Sequence, residues 1–286
     1  MGLFSSSSSS PNSTLSRSRS VSHFDPPPGY NEAVGSPYYS SRSTYSEGFV
    51  ATDQLQIQAI GYDVNQALTG RTLENISVFR PGSREPEYVS IRLKKNSNSC
   101  ALVRATDPRQ AAIISTIYRF GPGRHPRMCI LPSNSVVFFE EAIKDENVRG
   151  ERIEVKSRSL VSRGQVFDTS LGKFEWRYGT KEEHAACNAD SLLVMERLDR
   201  VSLPGGGKSK SGARIAQFIR NDQYRTPGTK KYSGGNGGRL MMDLRIWNDD
   251  KYMNPQRVEA FVVASCILML KREADRFIDN HLAIVV

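Results

Sequence analysis

The densest cluster of charge in the sequence lies between Arg200 and Arg239. This segment holds nine basic residues and one acid, Asp222, so it carries +8 of the chain's formal charge of +9. Basic side chains beside glycine-rich loops suit phosphate, because such loops expose backbone N–H groups. Two loops of this kind, Pro204–Gly212 and Gly234–Gly238, lie in the segment. If they approach each other they form a basic rim, and the predicted ligands of an anionic lipid are Lys208, Lys210, Arg214, Arg220, Arg225, Lys230, Lys231 and Arg239.

The same segment has a second interpretation, in which it is a solvated hairpin surface that only keeps the protein soluble. Nucleic acid is a less favoured partner, because the segment lacks aromatic residues in clear stacking arrays. Vesicle binding that is unchanged after neutralisation of the lysines would favour the solvated surface.

The N-terminus matches the pattern for N-myristoylation. In the sequence Met1–Ser6, Gly2 is the predicted acceptor after removal of Met1, and Ser6 occupies the favoured serine position. A single myristoyl chain gives only marginal and reversible membrane binding, so a second signal is needed. The predicted basic rim could supply that signal, which would connect the two ends of the chain functionally.

A second short motif in the tail is Pro27-Pro28-Gly29-Tyr30, a PPxY sequence. Proline pairs preset the polyproline II conformation, so a WW domain can bind Pro27 and Pro28 while Tyr30 fills a neighbouring pocket. The expected partners are WW-domain proteins such as ubiquitin ligases. A stiff spacer is the alternative.

Catalytic, metal and cofactor sites are not indicated. Gly207-Lys208-Ser209 resembles the end of a nucleotide-binding P-loop, but the first glycine of that motif would fall on Ser202. The four histidines and four cysteines have no metal-ligand spacing, and the cysteines show no disulfide framework. We therefore predict a protein that is not an enzyme, has no metal or cofactor, and lies in a reducing, cytoplasmic setting.

The composition divides the chain into two parts. Residues 1–52 are rich in serine and proline, including the run Ser5–Ser10, and are predicted to be disordered. From Asp53 to residue 286, short apolar stretches alternate with polar residues between turn signals, which is typical of an all-β domain. Three strands are predicted to have one apolar face each, formed by Val89, Ile91 and Leu93, by Ile153 and Val155, and by Phe174, Trp176 and Tyr178. Further strands are predicted at Ser135–Phe139, Ser191–Leu198 and Leu240–Leu244, which are apolar on both sides, and at Ala213–Arg220.

A long helix is predicted near the C-terminus. Asn254 suits the N-cap, Pro255 suits the first helical position, and no Gly or Pro interrupts the chain from Gln256 to Asp279. The residues Ala260–Leu270 are uncharged and almost wholly apolar around the helix, so this half must be enclosed on every side. The sequence thus predicts a closed barrel of about twelve strands with the helix inside, and a transmembrane anchor is the weaker alternative because the run is short.

These features together resemble the superfamily of tubby C-terminal, phospholipid scramblase and LURP-one-related domains, especially the tubby-like domains of fungal proteins. The resemblance covers about residues 53–280. It is carried by Phe174–Gly179, Leu192–Arg197, Arg214–Arg220, Gly234–Leu240 and Glu259–Arg276. The resemblance implies phosphoinositide recognition and membrane association, with no catalytic motif. No phosphoinositide site of the family aligns residue by residue.

The sequence therefore favours a peripheral protein at the cytoplasmic face of a membrane, in which the barrel binds anionic lipid, phosphoinositides included, and the tail recruits a WW-domain partner. The alternative function is a myristoylated, matrix-like assembly protein with a PPxY late motif. Self-association into ordered layers would favour that alternative, and the sequence leaves the oligomeric state open. Lipid scrambling is disfavoured because no spanning helix is predicted.

Overall fold

The structure of the protein is a computed structural model, which describes most of the chain beyond residue 47. The described residues are 48–62, 74–94, 97–119, 124–158, 162–199, 212–248 and 254–285, with side chains of the last stretch described as far as Asp279. The predicted site residues that lie outside the described residues are Gly2, Pro27, Pro28, Tyr30, Lys208 and Lys210.

One antiparallel 13-stranded sheet forms a nearly closed barrel, which confirms the predicted fold class. Each strand pairs with its neighbours in the sequence except β7 and β8, which form the two edges of the sheet and do not pair with each other, and the first strand also pairs with the last. The strands are β1 (Asp53–Gln58), β2 (Ile76–Phe79), β3 (Pro86–Arg92), β4 (Cys100–Arg104), β5 (Ala112–Ile117), β6 (Arg127–Ile130), β7 (Glu151–Glu154), β8 (Lys156–Ser157), β9 (Gln165–Thr169), β10 (Gly172–Tyr178), β11 (Ser191–Arg197), β12 (Ala213–Arg220) and β13 (Gly238–Met242).

One extended segment, residues 151–157, closes most of the gap between the two edges of the sheet. Its first part, β7, pairs with β6, and its second part, β8, pairs with β9, with only Val155 between the two. The turn after β9 is also joined to β7, because the backbone N–H of Ser170 donates to the Glu151 carboxylate. This arrangement leaves little unpaired strand edge on which another chain could add.

Four helices accompany the barrel within the described residues, and the longest of them fills it. They are α1 (Phe139–Lys144), α2 (Lys181–Ala186), α3 (Arg245–Asn248) and α4 (Pro255–Val285). At the start of α4, the Asn254 side chain accepts a hydrogen bond from the N–H of Gln256 at 2.9 Å, which confirms the predicted cap. Every residue from Val258 to Leu270 is buried, as the uncharged run predicted. Over the described residues, no helix is both long enough and apolar enough to cross a bilayer.

Polar contacts fix the position of α4 inside the apolar core. The indole N–H of Trp176 donates to the Ser265 hydroxyl at 2.9 Å, and neither residue is exposed to solvent. Nearer the start of the helix, Glu259 accepts hydrogen bonds from Tyr88 at 2.8 Å and from Arg80 at 2.7 Å. Buried polar side chains need hydrogen-bond partners, so these contacts fix the depth of α4 in the barrel and its rotation about its axis.

Two sequence predictions about strands are wrong. In β3 the faces are inverted: Tyr88 and Ser90 are buried, while Val89 and Ile91 are half-exposed, because the Tyr88 hydroxyl reaches inward to Glu259. The segment Ser135–Phe139 forms only an isolated bridge to Ala111 before α1 begins. By contrast, the predicted inward positions of β7 and β10 are confirmed at Ile153, Phe174 and Trp176.

Candidate functional site

The described part of the predicted basic segment contains β12, the connection after it and the start of β13. Arg197 of β11 pairs with Ala213 at the start of β12, so the connection from β11 to β12 begins and ends at that end of the sheet. The connection from β12 to β13 begins after Arg220 at the opposite end, eight residues or about 25 Å away. The bases of the two connections therefore lie at opposite ends of β12, and because Lys208 and Lys210 lie outside the described residues, the basic rim stays a prediction.

The connection between β12 and β13 lies where the C-terminal part of α4 meets the barrel end, here called the C-terminal mouth. Gly234 packs so closely on the helix that a Cβ atom there would be 2.5 Å from Cβ of Phe277. The N–H groups of Gly234 and Gly237 donate to the carbonyls of Tyr62 and Ala59. These glycines are buried and allow close packing, so the prediction that they expose N–H groups for phosphate is wrong.

Arg220 is buried inside the barrel, where it is paired with a residue of α4. Its guanidinium forms a two-pronged ion pair with Glu273 of α4, at 2.5 and 2.8 Å, and both side chains are buried. Burial disfavours the charged guanidinium, but the nearby carboxylate outweighs it and raises the pKa of Arg220. Arg220 therefore connects β12 to the central helix and cannot also bind a ligand at the surface, contrary to the prediction.

Arg214 belongs to a second ion-pair network, on the outside of the sheet. It contacts Glu183 of α2 and donates to Gln217 at 2.9 Å, while Arg177 binds the same glutamate at 2.7 Å. Burial alone would raise the pKa of Glu183, but the hydrogen bonds and charges of the two arginines lower it to about 2. This network attaches α2 to β10 and β12, which gives Arg214 a structural partner.

Arg225 and Arg239 also have partners within the protein. Arg225 is paired with Asp190 and with Asp222, and little of its side chain is exposed. Arg239 donates to Gln56 at 3.1 Å, and its guanidinium lies over the ring of Tyr224 at 4.8 Å. Their charge contributes to the local field, but the geometry leaves them less accessible than lysines on an exposed turn.

Within the described part of the segment, an exposed turn carries Lys230, Lys231 and Tyr232. The turn is closed by a hydrogen bond from Ser233 N–H to the Lys230 carbonyl at 3.2 Å. Lys231 also forms an ion pair with Asp190 at 2.6 Å, and this hydrogen bond raises the pKa of Lys231.

A large apolar side chain lies next to this turn. The Asn236 side chain accepts from Gly61 N–H at 3.2 Å and donates to the Lys230 carbonyl at 2.6 Å, which places Ile60 beside the turn. Ile60 and Tyr232 are 64% and 65% exposed, the two highest values among the large apolar residues that the structure describes. Ile60, Lys230, Lys231 and Tyr232 are here called the basic-apolar patch.

The chemistry of this patch matches that of a membrane interface. Lysines attract anionic headgroups, tyrosine prefers the boundary between headgroup and acyl chain, and an aliphatic side chain gains free energy in the acyl region. The charge pattern of the sequence predicts the two lysines as ligands, but it does not predict Ile60 and Tyr232. Tyr232 follows the lysine pair directly, which is a signal that sequence reasoning could have used, whereas Ile60 comes close only through the fold.

The described residues offer weaker candidates for other chemistry. They contain no group of three or more His, Cys, Asp or Glu side chains arranged to hold a metal ion. Burial raises the pKa of the thiols of Cys129, Cys187 and Cys266, which keeps them protonated and unreactive. A polar cleft of about 350 Å³ beside β6 and β7 is lined by Arg127, Arg152 and neighbouring residues, and Arg127 is itself paired with Glu146.

Comparison of the chain with family models, with curated proteins and with solved structures gives no match.

Proposed function

We propose that this protein is a non-enzymatic, peripheral membrane-binding adaptor with a tubby-like barrel. The barrel contacts an anionic membrane through the basic-apolar patch, and the PPxY motif at Pro27, Pro28 and Tyr30 recruits a WW-domain protein such as a ubiquitin ligase. An acyl chain on Gly2 supplies the second membrane signal. The observation that supports the proposal best is the exposure of Ile60 and Tyr232 next to Lys230 and Lys231.

The energetics of the patch favour reversible binding. Each lysine near an anionic surface contributes about 1 kcal/mol, and two lysines with two apolar side chains give a weak contact. A single myristoyl chain is also too weak for stable anchoring, so the patch and the acyl chain complement each other. A protein with both signals binds firmly, and loss of either releases it.

The patch is tested by sedimentation of the unacylated full-length chain with vesicles. Replacing Lys230 and Lys231 by Gln should weaken binding to vesicles containing phosphatidylserine about 30-fold, because two cations of about 1 kcal/mol each are removed. Binding to pure phosphatidylcholine should be weak for all variants.

The matched control replaces Lys156 and Lys173 by Gln. These lysines are similarly exposed, at 64% and 50%, but they lie outside the patch. The control removes the same charge and should retain most of the binding. Equal loss in both variants would mean that net charge alone attracts the protein, and no loss in either would contradict the role of the patch.

The tail is tested in cells and in solution with the full chain. Gly2→Ala should shift the acylated protein from the membrane fraction to the soluble fraction, whereas Tyr30→Ala should leave that distribution unchanged. Tyr30→Ala should abolish binding to an isolated WW domain, because the tyrosine pocket is left empty. Membrane association that survives Gly2→Ala intact would contradict the acyl anchor.

A further inference from the structure

Two arginines on α4 lie at the C-terminal mouth and have no carboxylate partner among the described residues. Arg272 and Arg276 follow the buried apolar run and are four residues apart, so their side chains start about 6 Å from each other on one face of the helix. Both are half-buried. Among the residues that the structure describes, neither forms an ion pair or a hydrogen bond, and Nε of Arg272 is buried without a partner.

The nearest acid does not neutralise this pair by direct contact. Asp275 lies between the two arginines in the sequence, but its carboxylate accepts hydrogen bonds from the Tyr118 hydroxyl and from Asn98. Burial lowers the pKa of Arg272, and the further positive charge of Arg276 acts in the same direction. Since a guanidinium stays charged in proteins, two cations are held in a partly dehydrated position at a cost in free energy.

Two tyrosines lie near Arg272, and a further arginine lies at the same end of the sheet. Arg272 interacts electrostatically with Tyr118 at the end of β5 and with Tyr178 at the end of β10. Gln165 pairs with Trp176, so Arg163 and Tyr178 both lie two residues beyond this pair, at the same end of the sheet. The acids of α4 beside Arg272 and Arg276 are Glu273, Asp275 and Asp279, of which Glu273 is paired with Arg220.

We propose that Arg272 and Arg276 form the base of a binding site for a phosphate monoester at the C-terminal mouth. Guanidinium groups bind phosphate through two parallel hydrogen bonds each, and a dianionic monoester has three terminal oxygens for them. A bound phosphate neutralises the unpaired cations, which removes the cost of burying them. This site uses other residues than the basic-apolar patch, and the proposal does not depend on the membrane role of that patch.

The phosphate monoester can come from a soluble metabolite or from a lipid headgroup, and two probes distinguish these sources. The soluble probe is glycerol 3-phosphate, titrated calorimetrically into the full-length protein. The lipid probe is phosphatidic acid at about one part in ten in phosphatidylcholine vesicles, which presents the same headgroup chemistry. The vesicle measurement uses the Lys230→Gln, Lys231→Gln variant, so that the basic-apolar patch does not contribute.

Binding of either probe should weaken at least about ten-fold when Arg272 and Arg276 are replaced by Gln, since hydrogen bonds to charged groups are lost. The control is Arg257→Gln, which removes a charge from the start of the same helix, where Arg257 lies 3.6 Å from Glu151, and should leave the affinity unchanged. Binding of the soluble probe identifies a free phosphate site, and binding of the vesicles alone identifies a lipid site.

The absence of binding by both probes overturns the proposal, and so does binding that the Arg272→Gln, Arg276→Gln variant retains. If the double variant does not fold, the single variant Arg276→Gln is decisive, with an expected loss of about ten-fold. An unchanged affinity in the folded single variant overturns the proposal. If Arg272 and Arg276 do not bind phosphate, the test of Lys230 and Lys231 in the basic-apolar patch is unaffected, because the two tests change different residues.

Discussion

Replacing Glu273 by Gln should destabilise the whole barrel, because it leaves Arg220 as an uncompensated buried charge. The two side chains are 7% and 9% exposed and are joined by hydrogen bonds of 2.5 and 2.8 Å. Arg220 belongs to β12 and Glu273 belongs to α4, so the pair joins the sheet to the helix that forms its core. Nε of Arg220 is already buried without a partner, which leaves little capacity for the charge to find another acceptor.

The expected decrease in the free energy of unfolding of the Glu273→Gln variant is about 3 kcal/mol. Breaking a buried ion pair by removing one partner costs about 3–5 kcal/mol, and Gln retains one acceptor oxygen for Arg220, which favours the lower end. Since domains are stable by only about 5–15 kcal/mol, such a loss is a large fraction of the total. The double variant Arg220→Met, Glu273→Leu should recover most of the stability, because no charge is left without its partner.

Urea unfolding followed by tryptophan fluorescence measures this effect. Trp176 is fully buried against Ser265 of α4, so its emission reports on packing between barrel and helix. In the Glu273→Gln variant, the urea concentration at the midpoint of unfolding should fall, while the dependence of the unfolding free energy on urea concentration stays constant. The control Glu140→Gln removes an exposed ion pair with Lys144 and should cost less than about 0.5 kcal/mol. A loss below about 1 kcal/mol for Glu273→Gln would refute the view that Arg220 is a structural residue.

Three further predictions concern the fold. Ser265→Ala leaves the Trp176 indole N–H without its acceptor and should cost about 1–3 kcal/mol in urea unfolding, and a neutral result would contradict this role. Gly237→Ala places a Cβ 2.2 Å from the Ile57 carbonyl oxygen and should lower the melting temperature by several degrees, about 2 kcal/mol, whereas an unchanged value would show that the segment has room. The pKa of Glu183 falls from its ordinary 4.5 to about 2, so its contribution to stability is fully present above pH 4.5 and disappears as the pH falls toward 2. Allowing for partial solvent screening, Glu183→Gln should cost about 2 kcal/mol at pH 7 and nothing near pH 2, and a difference that does not change with pH in urea unfolding would contradict this.

The barrel and its helix could be predicted because local pattern and burial agree there. An uncharged run such as Ala260–Leu270 has no polar face, so it must be enclosed, and strands with alternating residues are the elements that can enclose it. The inverted faces of β3 show the limit of this reasoning. Alternation gives the period of a strand, whereas the inward face is decided by the contact from Tyr88 to Glu259, 171 residues away.

The candidate site could be predicted only in part, because charge counting cannot show which charges are already paired. Arg220 and Glu273 are 53 residues apart, and no local pattern connects them. A glycine-rich segment has two physical uses, exposure of N–H groups and close packing, and only the contact of Gly234 with Phe277 distinguishes them here. Lys230 and Lys231 are exposed as expected, since they lie in a polar turn without buried neighbours on both sides.

The most direct test of the proposed function places a fluorescent reporter in the basic-apolar patch. Both native tryptophans, Trp176 and Trp247, are buried, so a tryptophan at position 232 dominates any response to membranes. In the Tyr232→Trp variant, emission should shift to shorter wavelength on addition of vesicles containing phosphatidylserine. Phe138→Trp is the matched control, because Phe138 is 54% exposed and lies outside the patch, and its emission should stay unchanged. Vesicle binding without a shift at position 232, or with an equal shift at position 138, would contradict membrane docking through the patch.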